Sequence, residues 1–139
     1  MVSEELIMRT VQAALIFEGL PAQSDVSIVI ADNAKLQELN NQFLGIDAPT
    51  DVLSFPSDEF DPDSGEPYLG DIILSLPKAK SQAEEAGHSL AAEIQLLIVH
   101  GTLHLLGHDH AEDSEKHEMW KHQLAILTGL GTRLNRHPE

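Results

Sequence analysis

Four of the chain's eight histidines fall within one short run, His100-Gly101-Thr102-Leu103-His104-Leu105-Leu106-Gly107-His108-Asp109-His110, directly after the almost unbroken apolar run Ile94 to Val99. A buried helix thus carries polar rings, and imidazoles taken out of water need partners. A metal ion is the first partner to consider. Residues four apart lie on one face of an α-helix, with Cβ atoms roughly 6 Å apart, so His100 and His104 are spaced to converge on one ion. Gly107 offers a helix stop, because glycine accepts the left-handed conformation at C′. A reversal there swings His110 back toward the pair. Three neutral imidazoles with an open fourth position describe a catalytic zinc site, whereas closed structural sites take four ligands, usually including cysteine. The chain has no cysteine. Imidazole also suits nickel, copper and iron, so ligand type alone leaves the metal open. Zinc held this way lowers the pKa of a bound water toward about 7 and polarises a phosphoryl or carbonyl oxygen.

The frame His-x-x-x-His-x-x-Gly-x-x-His is also that of the metzincin proteases. Those carry a glutamate directly after the first histidine as general base. Here that residue is Gly101, which moves no proton, so a metalloprotease-like hydrolase is the weakest enzymatic reading. Asp109 either orients a ligand imidazole or caps the turn. His108 reads as a solvated or stacking ring. His117 and His122 sit among charges and read as solvated. Asp71 and Ser75, at opposite ends of one strand, are candidates for lining a cleft. The acidic stretch 57–67 fails as a calcium loop: counted from Asp61, glycine falls at position five and Ile72 at twelve, where an EF-hand needs glycine at six and glutamate at twelve.

The elements that must position these residues follow from pattern and punctuation. Residues 3–18 read as an amphipathic helix with Ser3 as N-cap and Leu6, Ile7, Val11, Ala14 and Leu15 at helical spacing. Gly19 and Pro21 end it. Residues 25–31 alternate Val26, Ile28 and Ile30 and read as a strand. Asp32 caps a second helix with Leu36, Leu39 and Phe43 on one face and Gly45 after it. A short strand covers 51–55 until Pro56 stops it. A third strand covers 68–76. Pro77 suits the first turn of a polar helix over 77–86. Ser89 caps the long apolar helix that bears His100 and His104. Asp113 or Ser114 caps a last helix, with Met119, Trp120, Leu124 and Leu127 facing inward. Helices interspersed with short strands predict an α+β fold. We expect a single domain with a small mixed sheet of about four strands covered by helices, and the metal-bearing helix in the core. Residues 1–130 form this hydrolase domain and 131–139 a frayed tail.

At 139 residues the chain is long enough for one real core. The absence of cysteine excludes disulfides and thiolate ligands and fits a reducing compartment. The start, MVSEELIMRT, has early glutamates and no long apolar run, unlike a signal peptide. No stretch reaches the roughly 20 apolar residues of a membrane span. A cytoplasmic protein without a membrane partner is expected. Eight Lys+Arg against 23 Asp+Glu give a net charge of −15. Such a surface repels a free polyanion on average, although a bound Zn²⁺ can dominate its own neighbourhood.

The run His100-Gly-x-Leu-His104-Leu-x-Gly107-x-Asp109-His110 resembles the signature of the YbeY family of bacterial rRNA-maturation endoribonucleases. Two further blocks agree in order and spacing: Asp47-Ala-Pro-Thr-Asp-Val-Leu-Ser-Phe-Pro56 and Leu69-Gly-Asp-Ile-Ile-Leu-Ser75. The resemblance covers nearly the whole chain. It implies a zinc-dependent endoribonuclease specific for single strands, acting in 16S rRNA 3′-end maturation and ribosome quality control. It implies one Zn²⁺ per chain on His100, His104 and His110, and single-stranded rRNA or the small ribosomal subunit as partner. It also implies an α+β fold with a mostly parallel sheet. Two positions depart from the family pattern. The arginine usual after the aromatic residue of the block that begins Leu39-Asn40 is replaced, Phe43 being followed by Leu44. The tyrosine usual before Asp109 is His108. The missing arginine and the acidic surface keep a second class in view, a metal-stabilised factor that docks on a ribosome or a protein without cutting RNA. They also make a basic protein partner an expectation.

Overall fold

A computed structural model describes residues 2–22, 24–57, 59–60, 62–63, 65–108 and 112–132. Eight elements follow one another: α1 (Glu4–Phe17), β1 (Asp25–Ala31), α2 (Asn33–Leu44), β2 (Val52–Pro56), β3 (Tyr68–Ser75), α3 (Leu76–Ala86), α4 (Leu90–Leu105) and α5 (Asp113–Gly129). The α+β class holds. The sheet has three strands among the described residues, where about four were expected, in the order β1-β3-β2. Central β3 runs parallel to β1, with Ile28 opposite Ile72, and antiparallel to β2, with Ser54 opposite Ile72.

Local chemistry sets most boundaries. The side chains of Ser3, Asp32, Ser75 and Ser89 each accept a backbone N–H from the first turn of α1, α2, α3 and α4, which satisfies one orphan donor per helix. The start of α5 differs from expectation. Its N-cap is Glu112, which makes no side-chain cap bond, and Asp113 already lies inside the helix. The acids of that first turn still face the positive end of the helix dipole.

Helix α4 is the centre of the molecule. Every residue from Ala92 to Leu103 is buried, as expected for a helix apolar on all sides. One face joins Val11, Leu15, Leu74 and Ala79 through Ile94, Leu97 and Ile98. The other joins Ala14, Met119, Ile126 and Leu127 through Leu96, Val99 and Leu103. Gly101 permits the close approach of α4 to the sheet. A Cβ there would lie 2.9 Å from Ile72 Cγ2 and 3.1 Å from Ser54 Oγ, and the Ser54 hydroxyl donates to the Gly101 carbonyl at 3.0 Å.

Two inward faces differ from those expected. On α5, Met119, Gln123, Ile126 and Leu127 are buried, whereas Trp120 and Leu124 are exposed. The spacing i, i+4, i+7, i+8 turns Gln123 rather than Leu124 to the core, and Trp120 lies under the Lys116 ammonium, 5.0 Å from the ring centroid. On α2, Leu36 is buried but Phe43 is exposed, its ring centroid 5.1 Å from that of Phe55. No helix among the described residues is long and apolar enough to cross a membrane.

Candidate metal centre

The spacing of His100 and His104 on α4 brings their rings together. The two Nε2 atoms lie 3.2 Å apart and the ring centroids 4.7 Å apart at 72°. His100 is buried. Its Nδ1–H donates to Gln123 Oε1 at 2.7 Å. That bond favours one tautomer: with the proton on Nδ1, a neutral ring presents its Nε2 lone pair on the side of His104. Holding a ligand imidazole by its other nitrogen is the usual way protein metal sites orient their ligands.

These residues fit a metal ion. Two nitrogens each about 2.0–2.1 Å from one tetrahedral ion are separated by about 3.3 Å, close to the distance observed between the two Nε2 atoms. The helix stop also behaves as its sequence suggests. Gly107 has φ 97°. Its N–H bonds to the His104 carbonyl at 3.1 Å and the His108 N–H to the Leu103 carbonyl at 3.0 Å, the two bonds of a Schellman motif. The chain therefore reverses directly after the two histidines. The expected third ligand, His110, and Asp109 lie outside the described residues.

Sequence reasoning missed Gln123. Its signal was present, a polar residue in step with Met119, Ile126 and Leu127 on the buried face of α5. It also missed the carboxylate that His108 and His122 share. His108 Nε2–H donates to Glu18 Oε1 and His122 Nδ1–H to Glu18 Oε2, both at 2.6 Å. The two rings pack edge to face with centroids 4.7 Å apart. His108 does stack, but neither ring is freely solvated, and with Glu18 they bring three potential ligand atoms within 4.8 Å of one another. Glu18 is 104 residues from His122, so no local pattern announces it.

Of the two strand candidates, Ser75 has another role. Ser75 is fully buried. It donates to Asn33 Oδ1 at 2.6 Å and accepts the Lys78 N–H, which makes it a cap rather than a cleft residue. Asp71 accepts the Tyr68 hydroxyl proton, and the Ser27 hydroxyl lies 3.0 Å from the same phenol oxygen. The Asp71 carboxylate stabilises the protonated phenol and holds Tyr68 above its ordinary value of 10.0.

The family model described as "Endoribonuclease YbeY" matches residues 2–131. The chain belongs to the YbeY family. It is 47% identical over 142 residues to the Endoribonuclease YbeY of Moorella thermoacetica, covering 95% of this chain and 91% of that protein. It is 43% identical over 141 residues to that of Lachnoclostridium phytofermentans, covering 89% and 86%. The solution structure of TM1509 from Thermotoga maritima superposes with a TM-score of 0.58 at 26% identity, over 94% of this chain and 88% of that one. Against the YbeY pattern, Leu44 is the last residue of α2 and is exposed, so no cation stands at the family's arginine position. At the other departure, His108 takes Glu18 as partner.

Proposed function

We propose that this YbeY-family chain is a zinc-dependent endoribonuclease whose ion is held by His100, His104 and His110. Membership in a family of endoribonucleases makes the chain a nuclease, and hence a hydrolase. The observation that carries the metal reading is the convergence of the two Nε2 atoms at 3.2 Å, with Gln123 favouring one His100 tautomer. When bound, the ion supplies Lewis acidity that activates water and offsets charge developing on a phosphoryl group. His100 and His104 would hold it from the rigid core helix. His110 would complete the set after the Gly107 reversal, and Asp109 would orient one of the imidazoles. Gly101 contributes no proton transfer, and its contact with Ile72 and Ser54 leaves no room for the glutamate base of a metalloprotease.

The substrate proposed is single-stranded rRNA, at the 3′ end of 16S rRNA on the small ribosomal subunit, in the cytoplasm. RNA must then approach a surface of net charge −15. Productive binding would need the ribosome or a basic protein partner to supply the cations that Leu44 does not. The test is cleavage of a labelled single-stranded RNA by the zinc-loaded protein. His110→Ala should lose cutting while its circular dichroism stays native. A protein that leaves RNA intact with every metal, yet unfolds when the metal is removed, would favour the docking factor instead.

A further inference from the structure

Glu18 has no use in the proposed chemistry, yet its carboxylate is mostly withdrawn from water, with 11% of the side chain exposed. It sits at the C-terminal end of α1, whose last turn holds no basic residue. That end of a helix carries partial negative charge and disfavours an anion. Both carboxylate oxygens are directed at imidazoles, Oε1 at His108 and Oε2 at His122. A carboxylate withdrawn from water needs compensating partners, and here they are imidazole nitrogens, atoms of the kind that ligate metal ions. Donor atoms of all three residues lie within 4.8 Å of one another. The edge of the cluster opens on a cavity of about 280 Å³ lined by His108, Glu115 and Glu118. Glu118 Oε1 is 3.6 Å from His122 Nε2, and its other oxygen lies 3.8 Å from Lys121. An acid-lined hollow raises the local concentration of cations and offers an entry path.

We propose that Glu18, His108 and His122 form a second metal site, taking a divalent transition ion of the class bound by imidazole and carboxylate. Two histidines and one carboxylate with an open position form a donor set that suits zinc. The site joins the end of α1 to α5 and to the loop that leaves α4. An ion there would fasten the chain at His108, two residues before His110. Loading would lengthen the two contacts of 2.6 Å to about 3.3 Å, the donor separation around a tetrahedral ion.

The test is Zn²⁺ binding to metal-stripped full-length protein, read by equilibrium dialysis with elemental analysis. It uses wild type, Glu18→Gln, His122→Asn and the double variant His100→Ala/His104→Ala, each checked for native circular dichroism. Two equivalents are expected on wild type, and one on each of the three variants. The affinity lost in Glu18→Gln and His122→Asn should exceed the roughly 10–100-fold that loss of an outer partner costs. Co²⁺ loaded into the double variant should give ligand-field bands that His122→Asn abolishes. If Glu18→Gln and His122→Asn keep the wild-type stoichiometry, the cluster is only a hydrogen-bonded clamp and the proposal is overturned. If the double variant alone keeps it, the His100 and His104 site fails and this one stands.

Discussion

Replacing Gln123 by methionine separates the role of its amide in metal binding from its role in packing. The side chain is fully buried. Its Oε1 accepts the His100 Nδ1–H at 2.7 Å, while its Nε2 is buried without a hydrogen-bond partner among the described residues. Methionine is close in volume and carries neither group. Losing the acceptor leaves the His100 donor unsatisfied, at about 1–3 kcal/mol. Losing the orphaned Nε2 removes a penalty of the same size. The two offset each other, so apo-protein stability should move by less than about 1 kcal/mol, or a few degrees in Tm. Zinc affinity should not be spared. Without the Gln123 acceptor the Nδ1 hydrogen bond that orients the His100 ring is lost, and the affinity should fall about 10–100-fold, equivalent to roughly 1.4–2.7 kcal/mol. The assay is competition with a chromophoric chelator in a Glu18→Gln background, so that only the His100 and His104 site is read, together with calorimetric unfolding of the apo form. Gln123→Glu keeps an acceptor and should retain the affinity. The reasoning is refuted if Gln123→Met binds zinc within twofold of the parent, or if its apo form loses several kcal/mol.

Other predictions follow from single contacts. Gly101→Ala presses a methyl against Ile72 and Ser54; overpacking costs about 1–3 kcal/mol against a helix-propensity gain of up to about 1 kcal/mol, so urea unfolding should report a net loss of stability. A gain would mean that α4 can retreat from the sheet. Tyr68 should titrate above 10.0 in the folded protein, as read by ultraviolet difference absorbance. Because its folded pKa is raised, its stabilising contribution is fully present below the unfolded pKa and is lost as pH rises through the folded value. Asp71→Asn should bring the midpoint back toward 10.0. Leu44→Arg adds a cation at an exposed position, and single-stranded RNA should bind more tightly, with a salt slope steeper by about 0.7; an unchanged slope would mean that Leu44 lies off the RNA path.

The legible parts of this chain are those that local chemistry decides. Caps at Ser3, Asp32 and Ser89, the alternation of Val26, Ile28 and Ile30, and the glycine stop at Gly107 need no tertiary information. The i, i+4 pair of His100 and His104 is set by helix geometry alone, which is why it could be read before any fold. The rotation of α5 is not local. Trp120 and Leu124 are as apolar as their neighbours, and only packing against α4 turns Gln123 inward in their place. The Glu18 cluster was illegible for the same reason, since Glu18 lies 90 and 104 residues from its two imidazole partners. Phe43 stays exposed although its spacing matches Leu36 and Leu39, its ring meeting that of Phe55 on β2.

Under the proposed function, RNA cutting depends on an ion at His100 and His104. The direct measurement is single-turnover cleavage of an end-labelled single-stranded RNA by chelator-stripped protein, followed as Zn²⁺ is added back, for wild type and His104→Ala. We predict no cutting by stripped wild type, recovery as zinc is restored, and no recovery in His104→Ala at the same zinc concentrations. Cutting by the metal-free protein at the reconstituted rate, or full recovery in His104→Ala, would contradict it.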